Sequence, residues 1–189
     1  MQPEIEPGAT GWPLYWPGFL DRPAADRLFL RLSEEVVWQS ETFSLYGRTC
    51  RVPRLVSWFG DPGVNYRYTG SDHRCTGWHP VLETLRRELH ERCGLVTNLV
   101  LLNRYRHGQD SMGWHTDDEH GHQPLVASIS LGSTRRFLTR PAAGQPSVRW
   151  DLEHGSLLLL DGREPHALPK TRRPVVERIN LTFRFLEPQ

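Results

Sequence analysis

Arg178-Ile179-Asn180-Leu181-Thr182-Phe183-Arg184-Phe185 alternates polar and apolar residues without a break. Successive side chains of a strand point to opposite faces, so Ile179, Leu181, Phe183 and Phe185 share one face and Arg178, Asn180, Thr182 and Arg184 the other. Two settings suit the polar face. In one it is the wet side of an amphipathic edge strand. In the other it lines a cavity where the two arginines bind a dicarboxylate, the kind of partner a buried guanidinium requires. Upstream lie further short strand candidates separated by turn signals, at 98–105, 124–131, 136–139, 147–152 and 156–160. Two helix patterns precede them. The first starts at Asp21 before Pro23 and keeps Leu28, Leu32 and Val36 on one face; the second has Pro80 near its start, Leu82, Leu85 and Leu89 on one stripe, and Gly94 as its stop. Residues 11–20 read as an extended lead-in and 44–69 as turn-rich, aromatic hairpins. Short strands after a helical first half predict an antiparallel sandwich or jelly roll backed by helices.

Composition bounds the rest. A chain of 189 residues suffices for one domain with a real core. No aliphatic run exceeds four residues, Leu157 to Leu160 being one, against the roughly 20 a membrane helix needs. The first ten residues carry two glutamates and no secretory pattern. Cys50, Cys75 and Cys93 are odd in number and lack Cys-x-x-Cys spacing, which speaks against a disulfide scaffold or a thiolate zinc site and for a reducing cytoplasm. Twenty-three Lys plus Arg against 22 Asp plus Glu leave a net charge of +1, so the chain is no polycation. Lys170 is its only lysine, a bias that either codon usage or a need for guanidinium forks explains.

Chemistry enters with His115-Thr116-Asp117. On an extended segment the imidazole and the carboxylate project together. Two histidines and one carboxylate on one triangular face are what non-haem iron(II) oxygenases use, the opposite positions staying open. The second histidine would be His166, 49 positions after Asp117 and just beyond the 156–160 strand. Asn103-Arg104-Tyr105 likewise places an amide and a phenol on one face, both able to donate to an anion. Singly, each motif has an ordinary reading: a surface hydrogen bond, or a strand with one buried tyrosine. Jointly they point to a pocket for a metal and a dicarboxylate inside one barrel.

In this order, with Leu45-Tyr46-Gly47-Arg48, Val52-Pro53-Arg54, Phe59-Gly60-Asp61, Tyr66-x-Tyr68, Ser128-Ile129-Ser130-Leu131-Gly132, Gly155-Ser156-Leu157-Leu158 and His166-x-Leu168-Pro169, the chain resembles the AlkB family of Fe(II)/2-oxoglutarate-dependent dioxygenases. The Tyr-Gly finger before Pro-Arg, and the second acidic residue in Asp117-Asp118-Glu119, resemble the DNA-repair branch. The resemblance implies an α+β, mainly β fold: a double-stranded β-helix (jelly roll) core backed by N-terminal helices and carrying a nucleotide-recognition lid. It divides the single domain 1–189 into an N-terminal extension with the first helix (1–43), the lid (44–76) and the helix plus catalytic core (77–189).

The resemblance also implies roles. His115, Asp117 and His166 would hold Fe(II). Arg178, helped by Asn103 and Tyr105, would pair with the distal carboxylate of 2-oxoglutarate. Arg184, with Asn180 and Thr182 beside it, would line the co-substrate's other side. Tyr68 and the ring of His115 would sandwich a flipped, methylated base, Tyr66 standing nearby. Asp118, with Glu119 following it, would face that base's polar edge. Leu45, Tyr46 and Gly47 would fill the gap in the stack, and Arg54 would contact the nucleic-acid backbone. Only residues 161–165 separate the Leu157–Leu160 run from His166, a shorter turn than the family usually has and without its aromatic. Residues 141–146 are also short and uncharged, where double-strand binders of the family carry a longer basic loop. The implied reaction is oxidative demethylation of N1-methyladenine and N3-methylcytosine in alkylated DNA, consuming 2-oxoglutarate and molecular oxygen. The expected setting is a monomer in the cytoplasm, at the nucleoid, with nucleic acid and no membrane as partner. Action on RNA, on single strands only or on protein, and a non-catalytic nucleic-acid-binding member, are the alternatives.

Overall fold

The computed structural model describes residues 13–45, 48–68, 71–117, 123–140 and 145–187. Along the chain run β1 (Leu14–Trp16), α1 (Arg22–Glu35), β2 (Thr42–Leu45), β3 (Arg48–Arg51), β4 (Leu55–Gly60), β5 (Asn65–Tyr68) and β6 (Ser71–Arg74). There follow α2 (Pro80–Cys93), β7 (Leu99–Tyr105), β8 (Met112–His115), β9 (Leu125–Gly132), β10 (Arg135–Thr139), β11 (Val148–Leu152), β12 (Ser156–Asp161), β13 (His166–Leu168) and β14 (Arg178–Arg184). A six-stranded sheet, β1-β12-β9-β14-β7-β4, faces a four-stranded one, β11-β10-β13-β8, and two hairpins, β2-β3 and β5-β6, stand apart. This is the jelly-roll architecture, α+β and mainly β.

Local rules place the helices. The Asp21 carboxylate accepts from the Ala24 backbone N–H at 2.7 Å, capping α1. α2 begins on Pro80 and ends where Gly94 turns left-handed at φ +66°, its N–H bonding the His90 carbonyl at 2.8 Å. Leu32 of α1 and Leu82, Leu85 and Leu89 of α2 share one buried cluster with Ile129, Ile179, Leu181 and Phe183 of the larger sheet. Each such side chain contributes about 1.5–3 kcal/mol of burial. The apolar face of β14 is thereby committed to the helices. Its polar face must look the other way, between the sheets, where Tyr105, Val126, Phe137, Leu158, Leu160 and Leu168 close the space around it.

The structure decides one point that the sequence reading left open and departs from that reading at three others. β14 is central, paired to β7 on one side and β9 on the other with all seven residues buried, so the edge-strand setting is excluded. The lead-in forms β1, which pairs with β12. β4 falls within 44–76 but pairs with β7 along its whole length, so that part of the expected lid belongs to the larger sheet. β8 and β13 were not foreseen. Met112-Gly113-Trp114-His115 does not alternate and His166-Ala167-Leu168 is too short to signal, so these strands exist by pairing with each other and, for β13, with β10. Among the described residues no helix is long and apolar enough to cross a membrane.

Gly132 ends β9 at φ +84°, and a Cβ there would collide with the Glu177 carbonyl oxygen and press on the ring of Phe29. Its N–H donates to His154 Nδ1 at 2.8 Å, and across the ladder it faces Arg178. Gly132→Ala is expected to cost roughly 1–3 kcal/mol, a fall in Tm of about 2–4 °C per kcal/mol for a chain of this size. Thermal unfolding checks this, and an unchanged Tm would mean the turn can relax.

Candidate active site

β7 and β14 run antiparallel in a register that sets Tyr105 opposite Arg178 and Asn103 opposite Asn180. On the other side of β14, Ser130 of β9 lies opposite Asn180 and Ser128 opposite Thr182. The polar side chains therefore form rungs across the inner face of the sheet. Asn180 Nδ2 donates to Ser128 Oγ at 2.8 Å, Thr182 Oγ1 donates to Asn180 Oδ1 at 3.1 Å, and Arg54 Nε donates to Asn103 Oδ1 at 2.7 Å. They line a cavity of about 570 Å³ between the sheets, within the usual range of ligand pockets.

At one side of this cavity three ligand-type atoms, one each from His115, Asp117 and His166, lie within 4.8 Å of one another. β13 sets His166 directly across the ladder from His115. Asp117 follows β8 and is tied to the turn after β12, its N–H donating to the Gly162 carbonyl at 2.6 Å. That turn presses so closely on Asp117 that a Cβ at Gly162 would lie 3.0 Å from both Asp117 Cβ and Asp117 O. Five residues, 161–165, are thus enough to bring His166 to its place.

The two imidazoles are held alike. His115 Nδ1 donates to the Gly113 carbonyl at 2.9 Å and His166 Nδ1 to the Glu164 carbonyl at 2.8 Å, the tautomer being set by the carbonyl acceptors. This leaves both Nε2 atoms turned to Asp117, at 3.7 and 3.5 Å from its oxygens. Burial and the neighbouring His166 push His115 down to about 4, so it is neutral at pH 7 and free to ligate. Burial alone would raise the Asp117 carboxyl, but Arg184 at 2.8 Å, with both histidines, outweighs it and holds the group well below the usual carboxylate range. Two imidazoles and one ionised carboxylate fit a divalent iron on an open face.

Another part of the cavity wall shows the complementary imbalance. Arg178 is 2% exposed, its Nη2 donates to Ser130 Oγ at 2.9 Å, and its Nε has no hydrogen-bond partner. Among the described residues no carboxylate pairs with it. Burial, with the charge of Arg135 added, pushes its pKa down to about 10. A guanidinium in such a place lacks an anion, and a ligand carboxylate supplies one.

One residue differs from expectation, and another makes a further contact. Arg184 lines the cavity with Asn180 and Thr182, and its guanidinium also engages Asp117 and reaches the Tyr66 hydroxyl at 3.4 Å. Arg54 is buried against Asn103 in the cavity wall, not displayed for a nucleic-acid backbone. Tyr66 is buried beneath Arg184. Tyr46, Gly47, Asp118 and Glu119, and the side chains of Leu45 and Tyr68, lie outside the described residues. Sequence reasoning missed Arg135. It is 1% exposed, holds the carbonyls of Asp110 and Pro169 at 2.9 and 2.8 Å, and lies 5.9 Å from the Tyr105 ring that Arg178 approaches at 5.4 Å. In Arg135-Arg136 alternation must turn one arginine inward, but a strand taken to begin at 136 hid it. Ser128 and Ser130 also anchor β14, a role their places in the alternation of β9 could have suggested.

Comparison with known proteins agrees with this geometry. A family model for the 2OG-Fe(II) oxygenase superfamily matches residues 14–184. The human protein named alpha-ketoglutarate-dependent dioxygenase alkB homolog 3 is 35% identical over 188 residues, 92% of this chain and 65% of that protein. The mouse DNA oxidative demethylase ALKBH2 is 35% identical over 181 residues, 87% of this chain and 76% of that one. The chain thus spans somewhat less than two thirds of the length of alkB homolog 3. An oxidoreductase of the 2OG-Fe(II) oxygenase family from Burkholderia pseudomallei superposes with a TM-score of 0.66 at 16% identity, covering 91% of this chain and 84% of that one. OsALKBH1 does so with 0.63 at 18%, covering 91% and 97%. At these identities the two structures speak for the fold.

Proposed function

Since the chain belongs to the 2OG-Fe(II) oxygenase superfamily and, within it, to the AlkB family, we propose that it oxidatively demethylates N-alkylated bases in DNA, N1-methyladenine and N3-methylcytosine above all. One observation carries the reading: the His115-Asp117-His166 cluster, with Asp117 and His166 buried and His115 partly so, and a buried guanidinium lacking an anion, Arg178, line the same cavity. When bound there, Fe(II) with 2-oxoglutarate and dioxygen supplies a hydroxylation of the N-methyl carbon, with 2-oxoglutarate leaving as succinate and carbon dioxide and the hydroxymethyl group as formaldehyde.

The chain's own residues hold and orient. His115 Nε2, His166 Nε2 and the Asp117 carboxylate would take one face of the metal, and Arg184 keeps Asp117 ionised and in place. Arg178, with the phenol of Tyr105 and the amide of Asn103, would hold the distal carboxylate of 2-oxoglutarate, and the Asn180–Thr182–Ser128 chain keeps that wall rigid. Leu101, Val126 and Leu168 line the cavity and help exclude water. A base must leave its stack to enter such a site. The methylated bases are cationic, and Asp118 and Glu119, directly after the metal carboxylate in the chain, would meet that charge. Tyr68 would stack on the entering base, and Leu45, Tyr46 and Gly47 would fill the gap it leaves.

The test is mass spectrometry of single- and double-stranded DNA and RNA oligonucleotides carrying N1-methyladenine or N3-methylcytosine, incubated with Fe(II) and 2-oxoglutarate. The expected result is demethylated DNA with one formaldehyde per succinate. Demethylation of RNA alone would move the substrate. Succinate formation with every methylated strand left intact would overturn the reading.

A further inference from the structure

We propose that Trp114 and Arg140 form a landing site, on the rim of the cavity, for the nucleotide that flanks the base being demethylated on a single strand of nucleic acid. This rests on the reading that the substrate is nucleic acid. β8 is the outermost strand of the four-stranded sheet, and among the described residues no strand pairs its other edge. Its alternation turns His115 toward Asp117 and sends Trp114 to the opposite side, where the indole remains 44% exposed. The guanidinium of Arg140 lies over that ring, 4.5 Å from its centroid. Arg140 is itself anchored, its backbone N–H donating to the Pro165 carbonyl at 2.9 Å. The pair therefore spans the sheet from the end of β10, past β13, to β8, and it is attached at both ends to segments that carry metal-ligand residues.

The surroundings suit a polyanionic strand. Among the described residues no carboxylate pairs with Arg140, whereas the nearby Arg149 is spent on Asp151 at 2.8 Å. Arg136 on β10, across the ladder from Asp151, is exposed too. Next to Trp114 the rim is open: a Cβ placed on Gly113 would meet nothing within 4 Å. An indole backed by a guanidinium gives a base a stacking surface and a phosphate a cation, the pairing by which proteins hold single strands with little regard to sequence. A flipped base inside the cavity puts its chain neighbour at the cavity's rim, and Trp114, though its indole points away from Asp117, is among the residues that border the cavity.

The test compares wild type, Trp114→Ala and Arg140→Ala on nine-nucleotide single strands with one central N3-methylcytosine, read by fluorescence anisotropy and by demethylation. Affinity is expected to fall about ten-fold in each variant, and Arg140→Ala is expected to flatten the salt dependence of binding as a lost phosphate contact does. A 5-iodouracil placed beside the lesion is expected to photocross-link to the peptide carrying Trp114. Unchanged affinity in both variants, with demethylation by wild type intact, would overturn the landing site and leave the proposed function standing. Wild type that neither binds nor demethylates the strand would remove both. Arg140→Ala keeps the test open should Trp114→Ala fail to fold, because Arg140 lies outside the cavity and is exposed.

Discussion

Asp117→Ala is expected to abolish Fe(II) binding and turnover together. Among the described residues Asp117 is the only carboxylate in the cluster, and it is 6% exposed, so its removal leaves two imidazoles there. The loss extends beyond the metal. Arg184 is 3% exposed and its guanidinium is held at 2.8 Å by this carboxylate, so the alanine removes one charged partner of a buried cation. Breaking a buried pair by removing one partner costs about 3–5 kcal/mol. Anaerobic titration should show no Fe(II)/2-oxoglutarate charge-transfer band, and the metal-free protein should unfold at lower temperature than wild type. Asp117→Asn should recover part of the stability, by accepting from Arg184, and none of the metal binding. The same pair sets an acid limit for the metal-free protein. The folded-state carboxyl titrates below its unfolded value, so its stabilisation is complete above about pH 4 and is lost as pH falls through the folded value. Formaldehyde release by Asp117→Ala at the wild-type rate would sink the metal assignment.

Arg178→Met is expected to raise the half-saturating 2-oxoglutarate concentration while leaving the fold intact. Removing one partner of a buried charge pair costs about 2–5 kcal/mol, roughly 30-fold to several thousand-fold in affinity. Stability should move the other way from Asp117→Ala. Without co-substrate Arg178 is a buried cation with an unsatisfied Nε and a second buried arginine nearby, and an apolar side chain of similar length avoids that cost. Arg178→Met should therefore melt no lower than wild type in buffer. Adding 2-oxoglutarate should raise the Tm of wild type far more than that of the variant, since a ligand stabilises only in proportion to its binding. Equal 2-oxoglutarate-induced shifts would place the distal carboxylate elsewhere.

Much of the site was legible because strands translate sequence spacing directly into a shared face. Asn103 with Tyr105, His115 with Asp117, and Arg178 through Arg184 are each two apart or multiples of two, so one extended segment suffices to align them. The helix ends at Asp21, Pro80 and Gly94 were equally local. What escaped was whatever depends on a partner. Arg135 escaped because its strand starts one residue earlier than the pattern suggests, and β8 and β13 because short segments become strands only through their neighbours. Alternation gives Arg184 the same cavity-facing side as Arg178, and only the folded chain shows that it also pairs with Asp117.

The sequence by itself therefore determined the strand alternation, the helix caps, the absence of a long apolar span and the residue types a metal and a dicarboxylate need. Those follow from short-range sterics and from side-chain chemistry, which act within a few residues. Tertiary structure alone decided that β14 is a central strand and not an edge, since pairing on both sides is a property of two other segments. It likewise brought His166 beside His115 across a ladder, by a turn short enough to rest on the backbone of Asp117. And it left Arg178 buried without a carboxylate, a charge imbalance that exists only once every other group in the cavity wall has taken its place.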